Sequence, residues 1–355
     1  MIVDILKKKN IYDKGFDHLF FDQENFSENQ YAKDISNELG FKVNYYKIPP
    51  PDEIADNFKN IVSSMDQPLG DTAYISNYYL AKNSSTKFKV VLSGDGGDEL
   101  FAGYETYLAT YINEKLNKII KPNCLLLRLL KKINFISTYQ QKVGFGYKLT
   151  KFIENYRLDS VKAHLSWRSV FSEYELKEFI YKNNLNYDQI IFDELNNRLL
   201  NLKDVDLISK CIFVDLITWF PNNILYKVDR ASMTFSQECR IPMLDPEIIK
   251  FSFQLPNKYK KKLLIKNILK NRISKKNINR KKEGFNAPVG YWIANNSRFR
   301  SLTYDLLFSK NITKIFNKKI IEEMLNDHSN LKKDNTYKIY NLMVLSQWLL
   351  NNKQY

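Results

Sequence analysis

Between Ser93 and Glu99 the sequence reads S-G-D-G-G-D-E, three glycines and three acids directly after the apolar residues Val90–Leu92. Glycine lets a backbone take positive φ and lets a ligand come close. Successive N–H groups in such a turn can form an anion nest. Asp95, Asp98 and Glu99 oppose a simple phosphate cradle, because carboxylates repel phosphate. They suit a site where a divalent cation bridges acids to a polyphosphate, or where one acid accepts a proton. The same residues also read as an acidic turn that caps the helix after it, with Asp98 as a conventional N-cap.

An acid turn of this kind needs a strand to carry it and helices to flank it. The stretch Asp22–Leu39 has apolar residues at helical spacing (Phe26, Tyr31, Ile35, Leu39) and Gly40 to stop it. F-K-V-N-Y-Y-K-I alternates as a strand does, Pro49–Pro51 breaks the chain, and a helix is expected from Asp52 to about Ser64. D-T-A-Y-I-S-N-Y-Y-L-A-K reads as another helix and Lys89–Leu92 as a short buried strand. Alternating helix and strand predict an α/β fold, a parallel sheet with flanking helices. Ligands in such sheets bind beyond the carboxyl ends of strands, where Ser93–Gly97 falls. From Leu108 to Trp219 the pattern turns helical, which predicts a largely helical second half. F-P-N-N-I (Phe220–Ile224) reads as a proline-marked break between helices.

Composition narrows the classes. The 355 residues are 44% hydrophobic, enough for a sizeable core, and carry a net charge of +15. The lysines are scattered through the chain and no nucleic-acid motif accompanies them, so no specific nucleic-acid partner is expected. Cys124, Cys211 and Cys239 form no CxxC pair, and His18, His164 and His328 stand apart, which argues against a zinc site and fits a reducing cytoplasm. The opening M-I-V-D-I-L-K-K-K-N does not suit a secretory signal, and no apolar run reaches ~18 residues, so no membrane span is expected. The basic amphipathic stretch Cys124–Ile136 reads as a helix on the core.

V-V-L-S-G-D-G-G-D-E-L-F-A-G-Y strongly resembles the signature of the glutamine-hydrolysing, B-type asparagine synthetase family, amidotransferases with an adenylating ATP-pyrophosphatase domain. Three more stretches match that family: M-D-Q-P-L-G-D-T-A-Y-I (Met65–Ile75), L-Y-K-V-D-R-A-S-M-T-F-S-Q-E-C-R-I-P-M-L-D (Leu225–Asp245) and N-R-K-K-E-G-F-N-A-P-V-G-Y-W (Asn279–Trp292). The resemblance implies a fold like that of the adenine nucleotide α-hydrolases. It divides the chain into a non-matching segment 1–20, a synthetase-type domain 21–300 and a helical extension 301–355.

The resemblance also implies an amidoligase. Its ATP and Mg activate the side-chain carboxylate of aspartate, or of another carboxylate acceptor, as an acyl-adenylate, and ammonia completes the carbon–nitrogen bond. By position, Ser93 and Gly94 line the nucleotide or intermediate, and Asp95 takes the proton of the attacking ammonium. Asp98 lies near Mg and pyrophosphate, Lys282 stabilises charge on the acyl-adenylate, and Asp71 and Thr72 lie near the aspartyl portion. On their own terms, Lys282 sits in a basic run that reads equally as a solvated face. Arg230, Glu238 and Arg240 read either as substrate contacts or as a buried Arg–carboxylate network.

Two family features are not in the sequence. Ile2 follows Met1 where the family's glutaminase domain has its Cys nucleophile, and no S-G-G-x-D-S phosphate loop occurs before Asp66, where Gly15 and Gly40 stand alone. The expectation is a polypeptide truncated at its N-terminus, impaired on its own and supplied with ammonia from solution or from a glutaminase partner. The alternative is a non-catalytic remnant, or one subunit of a split amidotransferase. A missing first strand would leave a sheet edge and an apolar face open, and so favour association with another chain.

Overall fold

The computed structural model describes residues 1–9, 15–119, 139, 145–156, 158–181, 194–195, 197–199, 202, 204–260, 263–280 and 284–352. The elements that matter for the site are, in chain order, β1 (Phe16–Phe20), α1 (Asn29–Leu39), β2 (Val43–Lys47), α2 (Ala73–Ser84), β3 (Val90–Leu92), α3 (Gly97–Leu100), α4 (Glu105–Ile119), α5 (Ser160–Ser166), α6 (Leu207–Ile217), α7 (Tyr226–Met233), β4 (Glu238–Arg240), α8 (Val289–Asn295) and α9 (Thr336–Asn351). The chain divides into two compact units. The first comprises 1–66, 71–103 and 220–288, and the second 67–70, 104–219 and 289–355.

The first unit is α/β. Strand β1 pairs in parallel with β2, from Phe16 opposite Val43 to Phe20 opposite Lys47. Strand β3 pairs in parallel with β4, from Val90 opposite Glu238 to Leu92 opposite Arg240. Parallel pairing requires helical crossovers, and α1 provides the one from β1 to β2. Gly40 ends α1 in the left-handed region (φ 65°), as its sequence position predicts. The expected helix from Asp22 starts later, after a 3₁₀ turn at Glu24–Phe26. The expected helix to Ser64 is broken at Asn57 into Pro51–Asp56 and Phe58–Ser63.

Helix α2 buries residues on every side, among them Tyr74, Ile75, Ser76, Tyr78 and Ser84, because it is packed between β1 and α7. A polar chain stitches the two sheets together at its C-terminal end. Asn44 Nδ2 and Ser84 Oγ donate to the Asp17 carboxylate at 2.8 and 2.6 Å, and Gln237 Nε2 donates to Ser84 Oγ and to the Phe88 carbonyl, both at 2.9 Å. Gln237 and Ser84 are each 2% exposed, so these bonds satisfy groups that burial would otherwise leave without water.

Strand β3 departs from its expectation. Val90 and Leu92 are each 45% exposed, so the strand is not buried. Residues two apart share one face of a strand, and that face is open among the described residues.

The second unit is helical, and its interior holds a buried carboxylate. Asp215 on α6 is fully buried. It accepts the Tyr107 hydroxyl of α4 at 2.6 Å, the His164 ring of α5 at 3.1 Å and Arg168 Nε at 3.0 Å. Thr110 Oγ1 and His164 Nδ1 share a further 2.9 Å bond. Burial alone would push the Asp215 carboxyl up; the His164 ring and the Arg168 guanidinium hold it below the ordinary carboxylate range. Two interior histidines therefore have structural partners: His164 has Asp215, and His328 bonds the Gly290 carbonyl at 3.0 Å.

The F-P-N-N-I stretch is not a break. Phe220–Leu225 forms a π-helical turn that runs into α7. Pro221 has no N–H to donate, so an α-helix through it would lose a bond, and the wider turn accommodates it. The basic amphipathic stretch 124–136 lies outside the described residues. No described helix is long and apolar enough to cross a membrane.

A second carboxylate of this unit makes its stability depend on pH. Glu175 closes a capping box with Ser172 and pairs with Lys338 on α9. Burial opposes its charge, but Lys338, the Ser172 amide and Lys333 override it and pull the carboxyl to about 2. Its ordinary unfolded value is about 4.3, so the stability it contributes is fully present above that value and is lost as pH falls towards about 2. Urea titrations of the wild type and Glu175→Gln should therefore differ most at pH 6–7 and converge by about pH 2–3.

Candidate active site

The acid turn follows directly from β3. The Ser93 amide extends the β3–β4 ladder by donating to the Arg240 carbonyl at 2.9 Å. Ser93 Oγ then donates to the Asp95 carboxylate, and the Asp95 amide donates back to Ser93 Oγ at 3.3 Å. This reciprocal pair fixes the Asp95 side chain at the carboxyl end of the strand.

Gly96 turns the chain with φ 86°, and α3 starts at Gly97. A Cβ at Gly96 would stand 3.0 Å from Met243 Cβ, 3.7 Å from Phe220 Cζ and 3.9 Å from Ile241 Cγ2. The turn thus rests on the π-helical segment and on the residues that follow β4. The other two glycines serve a different end. A Cβ at Gly94 or Gly97 would meet nothing within 4 Å, so the backbone there faces open space. Asp98 and Glu99 lie in the first turn of α3; Glu99 is buried and Asp98 half-buried. The exit is bent as well: Ala102 has φ 49° and the Gly103 amide donates to the Asp98 carbonyl at 2.7 Å.

Two residues that the sequence reading left unassigned belong to this neighbourhood. Cys239, opposite Val91 on β4, lies against Ser93 and Asp95. Burial, reinforced by the Asp95 carboxylate, pushes its thiol up to about 11, so it remains a neutral neighbour at physiological pH. Lys227 on α7 holds Asp71: its Nζ is 2.7 Å from Asp71 Oδ2, and the two side chains are 8% and 19% exposed. The other Asp71 oxygen accepts the Ala73 amide at 2.9 Å and so starts α2. Thr72, the adjacent residue, is 1% exposed. The signal for Lys227 was its place at helical spacing in Y-K-V-D-R-A-S-M, one turn before Arg230–Ala231.

The structure therefore joins Ser93 to Asp95, sets Asp98 one turn further on, and places Asp71 and Thr72 at the start of α2 with Lys227 as Asp71's partner. Lys282 lies outside the described residues. The buried Arg–carboxylate network considered for Arg230, Glu238 and Arg240 is instead a set of exposed pairs. Arg230 reaches Asp66 and Asp229, each at 2.8 Å, and Arg240 reaches Glu238 at 2.7 Å. All three acids are more than half exposed, and such pairs contribute little to stability.

Among the described residues no three His, Cys, Asp or Glu side chains gather into a metal-binding group. Magnesium does not require one. It is held by one or two carboxylates together with substrate phosphates and water. Half-buried Asp98 beside open backbone at Gly94 and Gly97 fits that mode.

Parallel strands with flanking helices define an α/β protein, and the open glycine–acid turn stands at a strand's carboxyl end, where such sheets commonly bind ligands. Residues 12–350 match the asparagine synthase family, and the chain belongs to it. It is 28% identical over 335 residues to asparagine synthetase (glutamine-hydrolyzing) 1 of Bacillus subtilis, covering 92% of this chain and 50% of that protein. It is 24% identical over 333 residues to a putative glutamine-hydrolyzing asparagine synthetase of Mycobacterium tuberculosis, covering 92% of this chain and 49% of that protein. A putative asparagine synthetase of Methanocaldococcus jannaschii is 29% identical over 198 residues, 53% of this chain and 34% of that protein. The chain thus spans about half the length of the first two curated relatives.

Two substitutions test the local geometry. Gly96→Ala should destabilise by about 1–3 kcal/mol in urea unfolding, because it adds a strained φ and an over-close Cβ. Lys227→Met should cost about 2–4 kcal/mol, because it strands the Asp71 carboxylate, and Asp71→Asn in the same chain should recover part of that loss.

Proposed function

We propose that this chain carries the amide-forming chemistry of its family: ATP-dependent activation of a carboxylate, with aspartate as the acceptor, followed by carbon–nitrogen bond formation with ammonia. The observation that supports this best is the open turn at the end of β3, with Asp95 oriented by Ser93 and the backbone exposed at Gly94 and Gly97. The curated relatives are named as glutamine-hydrolyzing, and in this reading the nitrogen reaches the turn as ammonia, derived from glutamine by a glutaminase.

Each residue has a role that follows from its surroundings. Asp95 accepts a proton from the attacking amine, and the Ser93 hydroxyl keeps its carboxylate aimed. Ser93 and Gly94 line the nucleotide, where no side chain obstructs the backbone. Asp98 would hold Mg with phosphate oxygens; the ion supplies neutralisation of phosphate charge. Lys282 offsets the negative charge that develops at the activated carboxyl. Asp71, fixed by Lys227, and Thr72 shape the wall against which the aspartyl part rests.

ATP–pyrophosphate exchange on the purified chain, with aspartate and Mg, tests this reading. Exchange should require both. Lys282→Ala and Asp98→Asn should each lower it by about 10²–10³-fold. Asp95→Asn should leave exchange largely intact but slow amide formation by about 10²–10⁴-fold, since proton removal follows activation. No exchange with aspartate or any other carboxylate, by the chain alone and by the chain together with a glutaminase partner, would overturn the assignment.

A second reading, one subunit of a multi-chain amidotransferase, is favoured by a separate observation: the open apolar face of β3 at Val90 and Leu92. It predicts association in sedimentation velocity that Val90→Thr with Leu92→Thr abolishes. A monodisperse, stable wild-type monomer would count against it.

A further inference from the structure

Lysine occurs throughout the chain, but the net charge does not. Of the 54 lysines and arginines, 13 lie between Ile248 and Lys282, a stretch with no aspartate or glutamate. That leaves 41 basic against 39 acidic residues elsewhere, so the rest of the chain is close to neutral. The stretch belongs to the first unit, and some of its cations moor it there. Arg272 pairs with the buried Asp4 of the helix Ile2–Lys8. Lys276 reaches Asp34 of α1 at 3.1 Å, and Arg280 reaches Glu28, the residue before α1, at 3.2 Å. Glu38, also on α1, accepts the Ser274 amide at 2.8 Å and Asn277 Nδ2 at 2.9 Å. Both arginines of the stretch are therefore engaged inside the unit.

The cations left over are lysines. Lys250, Lys258, Lys266, Lys270 and Lys275 have no ion-pair partner among the described residues; Lys266 is half-buried and the other four are exposed. Large apolar side chains stand exposed among them, namely Tyr259, Leu263 and Ile268. Lys258 Nζ lies 5.0 Å from the centroid of the Tyr259 ring. Leu263, Lys266 and Lys270 follow at three- and four-residue spacing, along one side of the short helix Leu263–Leu269 and its exit.

We infer that residues 258–260 and 263–275 form a peripheral docking surface for an anionic membrane. The lysines meet lipid headgroups, and Tyr259, Leu263 and Ile268 enter the layer beneath them. Three arguments select this partner. Lysine interleaved with exposed aliphatic and aromatic side chains is the composition that seats at a bilayer interface, and each lysine near an anionic leaflet adds attraction. Interfaces between proteins favour arginine and are poor in lysine, whereas here the arginines are spent internally. Nucleic acid would engage the lysines through phosphate, but its backbone offers Leu263 and Ile268 nothing apolar. The surface uses none of the residues assigned to amide formation.

Vesicle co-sedimentation tests it, with phosphatidylcholine alone and with about 30% phosphatidylglycerol added, at about 50 and about 300 mM salt. The wild type should bind the anionic vesicles at least about tenfold more tightly than the neutral ones, and less tightly at the higher salt. Lys258→Gln, Lys266→Gln, Lys270→Gln and Lys275→Gln together should lower that binding by about 10²-fold. Lys310→Gln, Lys314→Gln, Lys319→Gln and Lys332→Gln remove the same charge from exposed positions of the second unit and should lower it by less than about threefold. Leu263→Ser with Ile268→Ser should lower it by about tenfold and leave the salt dependence unchanged. Equal losses in the two lysine sets would mean binding by net charge alone and would overturn the proposal. So would no binding, binding indifferent to Leu263 and Ile268, or an affinity for polyglutamate or duplex DNA above that for the vesicles at the same salt. If the first lysine set does not fold, the same set without Lys266→Gln, all at exposed positions, still decides.

Discussion

The three-residue parallel ladder between β3 and β4 carries the acid turn. It fixes Ser93 through the Arg240 carbonyl, sets Cys239 beside Asp95, and brings Ile241 and Met243 beneath Gly96. So short a ladder has few hydrogen bonds of its own, and an isolated two-stranded sheet is marginal in water. Its support comes from neighbours. Helix α7 packs on both α2 and β4, Gln237 ties the entry of β4 to Ser84 and Phe88, and Lys227 locks α7 to the start of α2. The turn is open to ligand on one side because packing and polar bonds hold it on the other.

The electrostatics explain why a chain of net charge +15 places acids here. A turn of backbone N–H groups alone would attract phosphate without selecting for a cation. Adding Asp95 and Asp98 makes phosphate unwelcome unless a divalent ion comes with it, which couples the two requirements. The two acids are also held differently. Asp95 is oriented by the hydroxyl of Ser93, two residues before it, and Asp98 belongs to the next helical turn. Two carboxylates in one short loop can then serve different ends, one as a base and one as a ligand.

What could be read from the sequence follows from how local each cause is. Gly40 ends its helix by its own φ, and Ala73–Ser84 is helical by spacing, so both were legible. The acid turn was legible too, since its glycines and acids are contiguous. Burial of β3 was not. Val90–Leu92 is apolar enough for an interior strand, and whether its face is covered depends on what packs there, which no local pattern encodes. The proline in F-P-N-N-I marked a departure from α-helix correctly, yet a π-helical turn and a break share that signal. The Lys227–Asp71 pair joins residues 156 apart in sequence, and its lysine looks like any other in a lysine-rich chain.

The same reasoning separates the two Arg–carboxylate systems. Arg230 and Arg240 stand in one of the family-matching segments, yet their pairs are exposed and geometrically ordinary. Arg168 stands in no motif, and its partner Asp215 is fully buried, with a histidine, a tyrosine and two aromatic faces arranged around the pair. A buried ion pair is often no more stabilising than an apolar replacement. Its value must lie in geometry: directed bonds fix angles that apolar contacts leave free. Here those angles are imposed on Tyr104 and Trp219, whose rings meet edge to face at 5.3 Å beside the Arg168 guanidinium.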